Sequence, residues 1–454
     1  MSNKYFGTDG IRGPVGGPVV NAKFASRLGY AVGVLLQGKG YSSGEILLGR
    51  DTRESGRNLQ DGLAAGLAVL GFSCVDLGIL PTPAIAINTF KDKAILGVSL
   101  TASHNPATDN GFKFFAGSGR KVSEEWEKEV ENLLGDPSTI PVSPFALQDR
   151  HSHALKTYCD FVIGCFPKQF LNGVKVLVDT ANGATYRTTC EVLEAFGAET
   201  SCLGDEPDGL NINDGVGSEH PEYMSRLVSE GHGDLGLAHD GDGDRVVFCD
   251  EGGSILHGDE VLGIIGLDWM RNDRLAGNCV VGTVQCNAGL EKALKDAGGM
   301  LSRTPVGDRH VTRRMIQEGL NFGGEPSGHF VLGDFLQTGD GLLAALQLLE
   351  IRQSSGKRLS ELRTQVSLFP QAMINLQVME KTPLEDLPAF QVGIKKVKRW
   401  LGERGRVLVR YSGTEPRIRL LAEGQSEDLA LEALQQLTTL ARRYLNTIDN
   451  DLSK

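Results

Sequence analysis

The chain lacks the cysteine pairs, long apolar runs and basic excess that mark several classes of protein. Its eight cysteines form no Cys-x-x-Cys pair, which argues against zinc sites and disulfides and favours reduced core thiols in a cytoplasmic protein. No apolar run approaches the roughly 18 residues of a membrane span, and the N-terminal residues do not resemble a signal peptide. The net charge of −11 argues against nucleic acid or another polyanion as a broad-surface partner.

Glycine is present in excess, at 58 of 454 residues, without a collagen period. The excess predicts many tight turns and close backbone approaches, and phosphate-binding loops are one reason for them. With 40% apolar and 23% charged residues, the composition is that of a globular protein with several cores.

Strand-like and helix-like segments alternate along the chain. A strand at 44–49, a helix at 57–70 and a strand at 74–78 begin the pattern, which predicts an α/β fold with mixed or parallel sheets covered by helices. The last 80 or so residues instead pair strands with amphipathic helices at 384–401 and 426–445, as in an α+β module. We therefore predict three α/β domains and a C-terminal α+β domain, with the boundaries 1–150, 151–255, 256–368 and 369–454.

Ser103 stands in an unusual setting. An apolar strand at 94–100 leads into Thr101–Pro106, and the turn-forming Asp109-Asn110-Gly111 follows. This places Ser103 at the end of a strand on a tight loop, with His104 beside it and Lys113 close in sequence. The placement suits a covalent nucleophile or a phosphate carrier, and the alternative is a capping serine in an ordinary loop.

Three aspartates alternate with glycine at Asp240, Asp242 and Asp244, between two apolar strands. Carboxylates at this spacing can converge on a hard divalent cation such as Mg²⁺, which usually keeps phosphate ligands as well. An EF-hand is disfavoured because Arg245 occupies the position that requires glycine, although Glu251 falls at the twelfth position. A solvated acidic turn is the other alternative. A phosphate on Ser103 would complete a half-filled metal site.

Two further loops and one turn carry polar side chains of interest. Glu325, Ser327 and His329 have side chains suited to hydrogen bonds with vicinal sugar hydroxyls. The alternative is an exposed turn. The segment 410–419 combines arginines, hydroxyls and a glycine, as in a phosphate cradle, or else forms a surface hairpin. Near the N-terminus, the glycine-rich turn 6–13 exposes Arg12.

These segments, in this order, resemble the α-D-phosphohexomutase superfamily from Lys4 to about Glu423. Three segments, 4–13 and in addition Asp208–Asn213 and Val306–Arg309, point to the branch that acts on glucosamine phosphates. Pro326 departs from the family pattern, in which Gln or Asn is more usual. The resemblance implies four domains around a central cleft. It also implies interconversion of glucosamine 6-phosphate and glucosamine 1-phosphate through a 1,6-bisphosphate, which feeds UDP-N-acetylglucosamine and cell-wall synthesis.

The resemblance also assigns roles to residues of this chain. Ser103 is the phosphoserine, and its oxygen joins Asp240, Asp242 and Asp244 around one Mg²⁺. Apart from the resemblance, we expect Lys113 to be the general base, with its pKa lowered by the neighbouring Arg245. His104 and His329 are weaker candidates for the base and otherwise position phosphate or sugar, and Arg12 is expected to contact the phosphoserine region. The residues expected to bind substrate are Glu325, Ser327, His329, Arg410, Ser412, Gly413, Thr414 and Arg419.

Other functions compete with this one. The nearest is the same chemistry on glucose or mannose phosphates, as in phosphoglucomutases and phosphomannomutases. A phosphosugar-binding protein would not need a metal–serine centre, and a phosphatase with an aspartyl nucleophile at 240–244 would release phosphate. The expected partner is a hexosamine phosphate, with neither nucleic acid nor membrane, and the chain is expected to be a monomer or a homodimer.

Overall fold

The computed structural model describes residues 5–134, 145–412 and 415–448. The chain forms two compact units, the first from 1–283 and 299–365 and the second from 284–298 and 366–454. Three β-sheets lie in the first unit and one in the second. The predicted fold class of three mixed α/β sheets followed by a C-terminal sheet with helices is confirmed. Among the described residues, no helix combines the length and apolarity needed to cross a membrane.

The first sheet has six strands. They are β1 (Ile11–Pro14), β2 (Glu45–Arg50), β3 (Ser73–Ile79), β4 (Leu96–Leu100), β5 (Asp109–Ala116) and β6 (Leu147–Asp149). Its helices are α1 (Ala22–Gly38), α2 (Ser55–Ala68), α3 (Thr82–Lys91), α4 (Glu124–Leu133) and α5 (His151–Ile163). The order is β1-β5-β4-β2-β3-β6, and β2, β3, β4 and β6 run parallel. Because β2 and β4 are parallel neighbours, the loops that follow them emerge at the same edge of the sheet.

The first sheet packs against α1, α2 and α4 through an extensive apolar core. Glycines allow α1 and α2 to approach closely: a Cβ on Gly66 would lie 2.0 Å from the Ser26 carbonyl oxygen. This packing fixes the strands whose ends carry the polar loops.

The second sheet supplies the acidic loop. Its strands are β7 (Lys175–Asp179), β8 (Glu199–Leu203), β9 (Leu235–His239), β10 (Val246–Cys249) and β11 (Ile255–Leu256), and its helices are α6 (Thr189–Ala195) and α7 (Glu222–Ser229). The order is β11-β10-β9-β7-β8, and β9 and β10 are antiparallel. The aspartates therefore lie in the tight connection between two buried strands.

One expectation about the cysteines is wrong. Cys190 of α6 and Cys202 of β8 are joined by a disulfide, whereas the other six cysteines are free thiols. The packing of α6 on β8 brings the two together although they are 12 residues apart in sequence, and no short cysteine motif marks such a pair.

The third sheet completes the first unit. Its strands, in the order β13-β12-β14-β15, are β12 (Cys279–Thr283), β13 (Met300–Thr304), β14 (Phe322–Gly324) and β15 (Phe330–Leu332). The helices of this region are α8 (Gly258–Arg271), α10 (Asp308–Glu318), α11 (Gly341–Ser355) and α12 (Leu359–Leu362), with short 3₁₀ turns at Ala276–Asn278 and Arg363–Gln365. Strands β14 and β15 form a hairpin whose tip is the loop 325–329.

The second unit has one antiparallel sheet in the order β17-β18-β16-β19. Its elements are α9 (Ala288–Asp296), β16 (Gln371–Val378), α13 (Pro388–Leu401), β17 (Gly405–Tyr411), β18 (Arg417–Gly424), α14 (Glu427–Tyr444) and β19 (Thr447–Ile448). The helix predicted from residue 384 begins only at Pro388, after a 3₁₀ turn at Leu384–Asp386. Proline favours the first turn of a helix, where its missing N–H costs nothing.

Candidate active site

Ser103 lies in the loop that follows β4 and is buried, with a φ of 56°. This left-handed conformation is uncommon for a residue other than glycine and is concentrated at functional sites. Its hydroxyl donates a hydrogen bond to Asp240 Oδ2 at 2.5 Å, and its Oγ lies 3.4 Å from His104 Nδ1. This hydrogen bond thus joins the loop that follows β4 of the first sheet to the loop that follows β9 of the second sheet.

The three aspartates of the β9–β10 loop converge. Carboxylate oxygens of Asp240, Asp242 and Asp244 all lie within 4.8 Å of one another, and all three residues are buried. Gly243 makes the turn possible, because its φ is +71° and a Cβ there would lie 2.4 Å from Thr185 Cγ2. The Oδ1 atoms of Asp242 and Asp244 have no hydrogen-bond partner among the described residues. Buried anionic oxygens without donors are what a hard divalent cation requires.

Two of these acids have opposite protonation tendencies. Burial, together with the carboxylates of Asp244 and Asp242, holds the pKa of Asp240 well above its ordinary range. Burial alone would also raise the pKa of Asp244, but nearby positive charges, of which the Lys113 ammonium contributes most, together outweigh burial and lower that pKa. Of these two acids, Asp240, which accepts the Ser103 hydroxyl, therefore takes up a proton more readily.

Lys113 on β5 is buried, and its ammonium group is held by three carboxylates. Its Nζ lies 2.8 Å from Asp242 Oδ2, 2.7 Å from Asp244 Oδ2 and 3.0 Å from Asp9 Oδ2. Burial would lower the pKa of Lys113, but the three carboxylates outweigh it and raise that pKa well above the ordinary value. The expected lowering by Arg245 is wrong for this arrangement because the acids are in direct contact with the amine.

Arg12 and Arg245 approach the same centre from two sheets. Arg12 on β1 donates to Asp9, and the pairing of Arg12 with Gly111 places it beside β5. Arg245 follows the acidic loop, with Nε 4.0 Å from Asp244 Oδ1 and a guanidinium nitrogen 3.6 Å from Glu219 Oε1. In both arginines Nε is buried without a hydrogen-bond partner among the described residues.

Burial and the Arg245 charge lower the pKa of His104.

The loop at the β14–β15 tip lies near these acids. The His329 charge contributes less than Lys113 to lowering the Asp244 pKa, and its Nε2 is 3.7 Å from Asp308 Oδ2. Neither ring nitrogen of His329 has a hydrogen-bond partner among the described residues. Glu325 accepts the Gly307 N–H at 3.0 Å and is buried, whereas Ser327 is exposed.

The remaining predicted site residues belong to the second unit. Arg410 and Arg419 face one another across β17 and β18, and no ion pair of Arg410 is found in the described part of the chain. Burial and the Arg419 charge lower the pKa of Arg410. Like charges directly opposite in a sheet are unfavourable unless an anion binds both. Ser412 is buried after β17, while Gly413 and Thr414 lie outside the described residues.

Sequence analysis missed several residues that complete the centre. Asp9 bridges Lys113 and Lys121, and Lys121 also binds Asp308 of the 306–309 segment. Asp9 lies within the N-terminal motif, which was the only available signal for it. Arg53, in the turn between β2 and α2, contacts the loop of Ser103.

Comparison with known proteins accounts for nearly the whole chain. It matches four models named Phosphoglucomutase/phosphomannomutase: alpha/beta/alpha domain I at 3–139, domain II at 156–253, domain III at 257–369 and the C-terminal domain at 373–440. It is 41% identical over 450 residues to Phosphoglucosamine mutase of Syntrophotalea carbinolica, covering 98% of each chain. It is 42% identical over 452 residues to that of Aeromonas hydrophila, covering 99% of this chain and 100% of the relative.

Among solved structures, a Phosphoglucomutase/phosphomannomutase family protein from Burkholderia thailandensis shares the fold with a TM-score of 0.80. It is 22% identical, and the match covers 98% of this chain and 100% of that one. The chain therefore belongs to the phosphoglucomutase/phosphomannomutase family and, within it, groups with the phosphoglucosamine mutases.

Proposed function

We propose that the chain interconverts glucosamine 6-phosphate and glucosamine 1-phosphate through a phosphate carried on Ser103. The observation that carries the proposal is the 2.5 Å hydrogen bond from the Ser103 hydroxyl to Asp240, inside a buried cluster of three aspartates. A phosphoryl group on this hydroxyl would lie directly against those acids. Because both are negatively charged, this arrangement is favourable only when a cation lies between them. The reaction is placed in the cytoplasm, with a hexosamine phosphate as the small-molecule partner.

The residues that would hold Mg²⁺ are Asp240, Asp242, Asp244 and the phosphorylated Ser103. Their fit rests on the two aspartate oxygens that are buried without donors. When bound, Mg²⁺ neutralises charge on the transferring phosphoryl group and weakens the attraction of the same carboxylates for Lys113.

Proton transfer is assigned to Lys113. The sugar hydroxyl loses its proton to the amine as its oxygen bonds to phosphorus, and the bond between phosphorus and Ser103 Oγ breaks. The Ser103 oxygen keeps the electron pair of that bond and takes up the proton from Lys113, and the return transfer reverses these proton movements. The resulting 1,6-bisphosphate turns end for end and returns its other phosphate to Ser103, which releases the isomeric monophosphate. Arg12, Arg245 and His104 surround the reacting group and balance its charge.

The second phosphate needs a holding site, which we assign to Arg410, Ser412, Gly413, Thr414 and Arg419. Arg410 lies opposite Arg419 and has no ion pair with any residue that the structure describes, which supports this assignment, since a phosphate can bind both guanidinium groups. Glu325, Ser327 and His329 are assigned to the sugar. The supporting observation is that neither ring nitrogen of His329 has a hydrogen-bond partner in the described part of the chain.

Ser103→Ala tests the covalent route. We expect the variant to keep its fold and to lose nearly all Mg²⁺-dependent conversion of glucosamine 6-phosphate, because no oxygen remains to carry the phosphoryl group. Peptide mass mapping of the unaltered protein should find the phosphate on Ser103. Ser118→Ala, a change in an exposed turn, is the matched control.

The same experiment separates the competing functions. Normal turnover by the Ser103 variant would refute the covalent route. Net phosphate release with a phosphoaspartate in residues 240–244 would identify a phosphatase. A higher kcat/KM for glucose or mannose 6-phosphate would assign the chemistry to those sugars.

A further inference from the structure

We propose that Arg53 and Asn213 are positioning residues that clamp the loop 103–109 and hold Ser103 in the geometry for phosphoryl transfer. The inference deepens the proposed function and rests on it. Neither residue contacts the aspartate cluster through its side-chain hydrogen bonds, and neither was singled out for chemistry from the sequence.

Arg53 uses every donor that it has. Its Nη2 donates to the carbonyls of Ser103 at 3.0 Å and Asn105 at 2.7 Å. Its Nη1 donates to the carbonyls of Asp109 at 2.9 Å and Pro106, and its Nε donates to Asp51 at 2.9 Å. A guanidinium group has five N–H donors, so none remains for a substrate phosphate. The side chain is fully buried, which leaves positioning as its role.

Asn213 holds the same loop from the segment between β8 and α7. Its side-chain amide donates to the carbonyls of Ser103 at 2.9 Å and Asn105 at 3.0 Å. Each of these two carbonyls therefore accepts one hydrogen bond from Arg53 and one from Asn213. The segment 208–213 also meets the segment of Arg53, because the Glu54 N–H donates to the Gly209 carbonyl at 3.0 Å. This contact gives the 208–213 motif a physical role.

The loop needs such restraint because Ser103 has a left-handed backbone. If the two carbonyls lost their donors, the loop could relax to commoner backbone angles and move the hydroxyl away from Asp240. A displacement of about 1 Å at a reacting atom can lower a rate about 100-fold. Sugar binding would change little, because the clamp contacts none of the residues assigned to the sugar.

Asn213→Gly removes the side-chain amide, and Asn213→Asp replaces the amide donor with a carboxylate acceptor. Glycine and aspartate both tolerate the φ of 59° at this position. Arg53→Lys keeps the charge beside Asp51 but has too few donors for four carbonyls. The controls are Asn278→Gly, an exposed left-handed asparagine, and Arg50→Lys, whose side chain binds Gln60 and Asp76. Hydrogen exchange of peptides covering 101–111 and steady-state kinetics with glucosamine 6-phosphate are measured for each variant.

We expect faster exchange in 101–111 and a fall in kcat of about 10-fold to 100-fold, with KM within about twofold of the starting protein. The controls should match the starting protein in both measurements. Unchanged exchange in the Asn213 variants would overturn the clamp, as would faster exchange with normal kcat. A loss of kcat that parallels a general loss of thermal stability would also overturn it.

The exchange measurement keeps the two proposals apart. It reports on the clamp even if the protein proves not to be a mutase, whereas the mutase proposal is judged by Ser103→Ala. If Arg53→Lys fails to fold, the Asn213 variants decide the outcome, since they alter the loop from the other side.

Discussion

At the residue scale, the observed role of Lys113 as a counterion opposes the role that we propose for it as a general base. As an ammonium ion it is the counterion of Asp242, Asp244 and Asp9, and its pKa is raised because those carboxylates outweigh its burial. As a general base it must first lose its proton. A cation bound by the same acids competes with the ammonium, so cation binding and proton transfer are linked through shared carboxylates.

Lys113→Met separates these roles. Turnover should fall about 100-fold to 10,000-fold, because the group that moves the proton is gone. Binding of Mg²⁺ should persist or tighten, because no ammonium competes for Asp242 and Asp244. Steady-state kinetics and calorimetric titration with Mg²⁺ measure the two effects.

Lys175→Met, a change at an exposed lysine of β7, is the control and should alter neither measurement. An unchanged rate in the Lys113 variant would move the base elsewhere. Loss of Mg²⁺ binding would mean that Lys113 organises the acids rather than competing for them.

At the scale of elements, the β9–β10 connection shows how a short loop gathers charge. Its backbone packs tightly against the loop of Ser103, since a Cβ on Gly241 would lie 2.8 Å from the Ser103 carbonyl oxygen. Strands β9 and β10 bury both ends of the connection. The aspartates converge because glycine permits a turn that a side chain would block.

Gly243→Ala should therefore distort the cluster. The substitution forces alanine to a φ of +71° and places its Cβ against Thr185, so we expect a destabilisation of about 1–3 kcal/mol and weaker Mg²⁺ binding. Urea unfolding and Mg²⁺ titration measure these effects. Gly231→Ala controls for backbone strain alone, because its φ is +91° with no atom within 4 Å of the added Cβ. Equal Mg²⁺ binding in the two variants would contradict this account.

At the scale of the whole molecule, sequence patterns predicted the features that depend on residues close together along the chain. Strand periodicity and turn residues correctly placed the end of β4 and the β9–β10 loop. Contacts that depend on sheet order could not be predicted: β1 lies beside β5, which brings Asp9 to Lys113. The same limit hid the approach of Arg53 to the Ser103 loop and the disulfide between Cys190 and Cys202.

Stability of the first unit also depends on pH through a buried acid outside the proposed chemistry. Asp340 caps α11, accepting the N–H groups of Leu342 and Leu343, and Tyr158 donates to it at 3.2 Å. Burial raises the pKa of Asp340 from 3.8 to about 7, although those hydrogen bonds oppose the shift. Between these two values the folded chain holds a proton that the unfolded chain has released. The contribution of Asp340 to stability is therefore full at low pH and is lost as pH rises towards 7.

Asp340→Asn should flatten this dependence, because the amide is uncharged at every pH and asparagine caps a helix as well as aspartate does. We expect the variant to unfold at a higher urea concentration than the starting protein at pH 8 and at a similar one at pH 5. Tryptophan fluorescence follows the first unit through Trp126 and Trp269 once Trp400 of the second unit is replaced by Phe in both proteins. Asp149→Asn, a change at an exposed aspartate that accepts the His151 N–H, should leave the pH dependence intact. The stability difference between pH 5 and pH 8 decides the outcome. If Asp340→Asn shows the same difference as the starting protein, another group is responsible for the pH dependence.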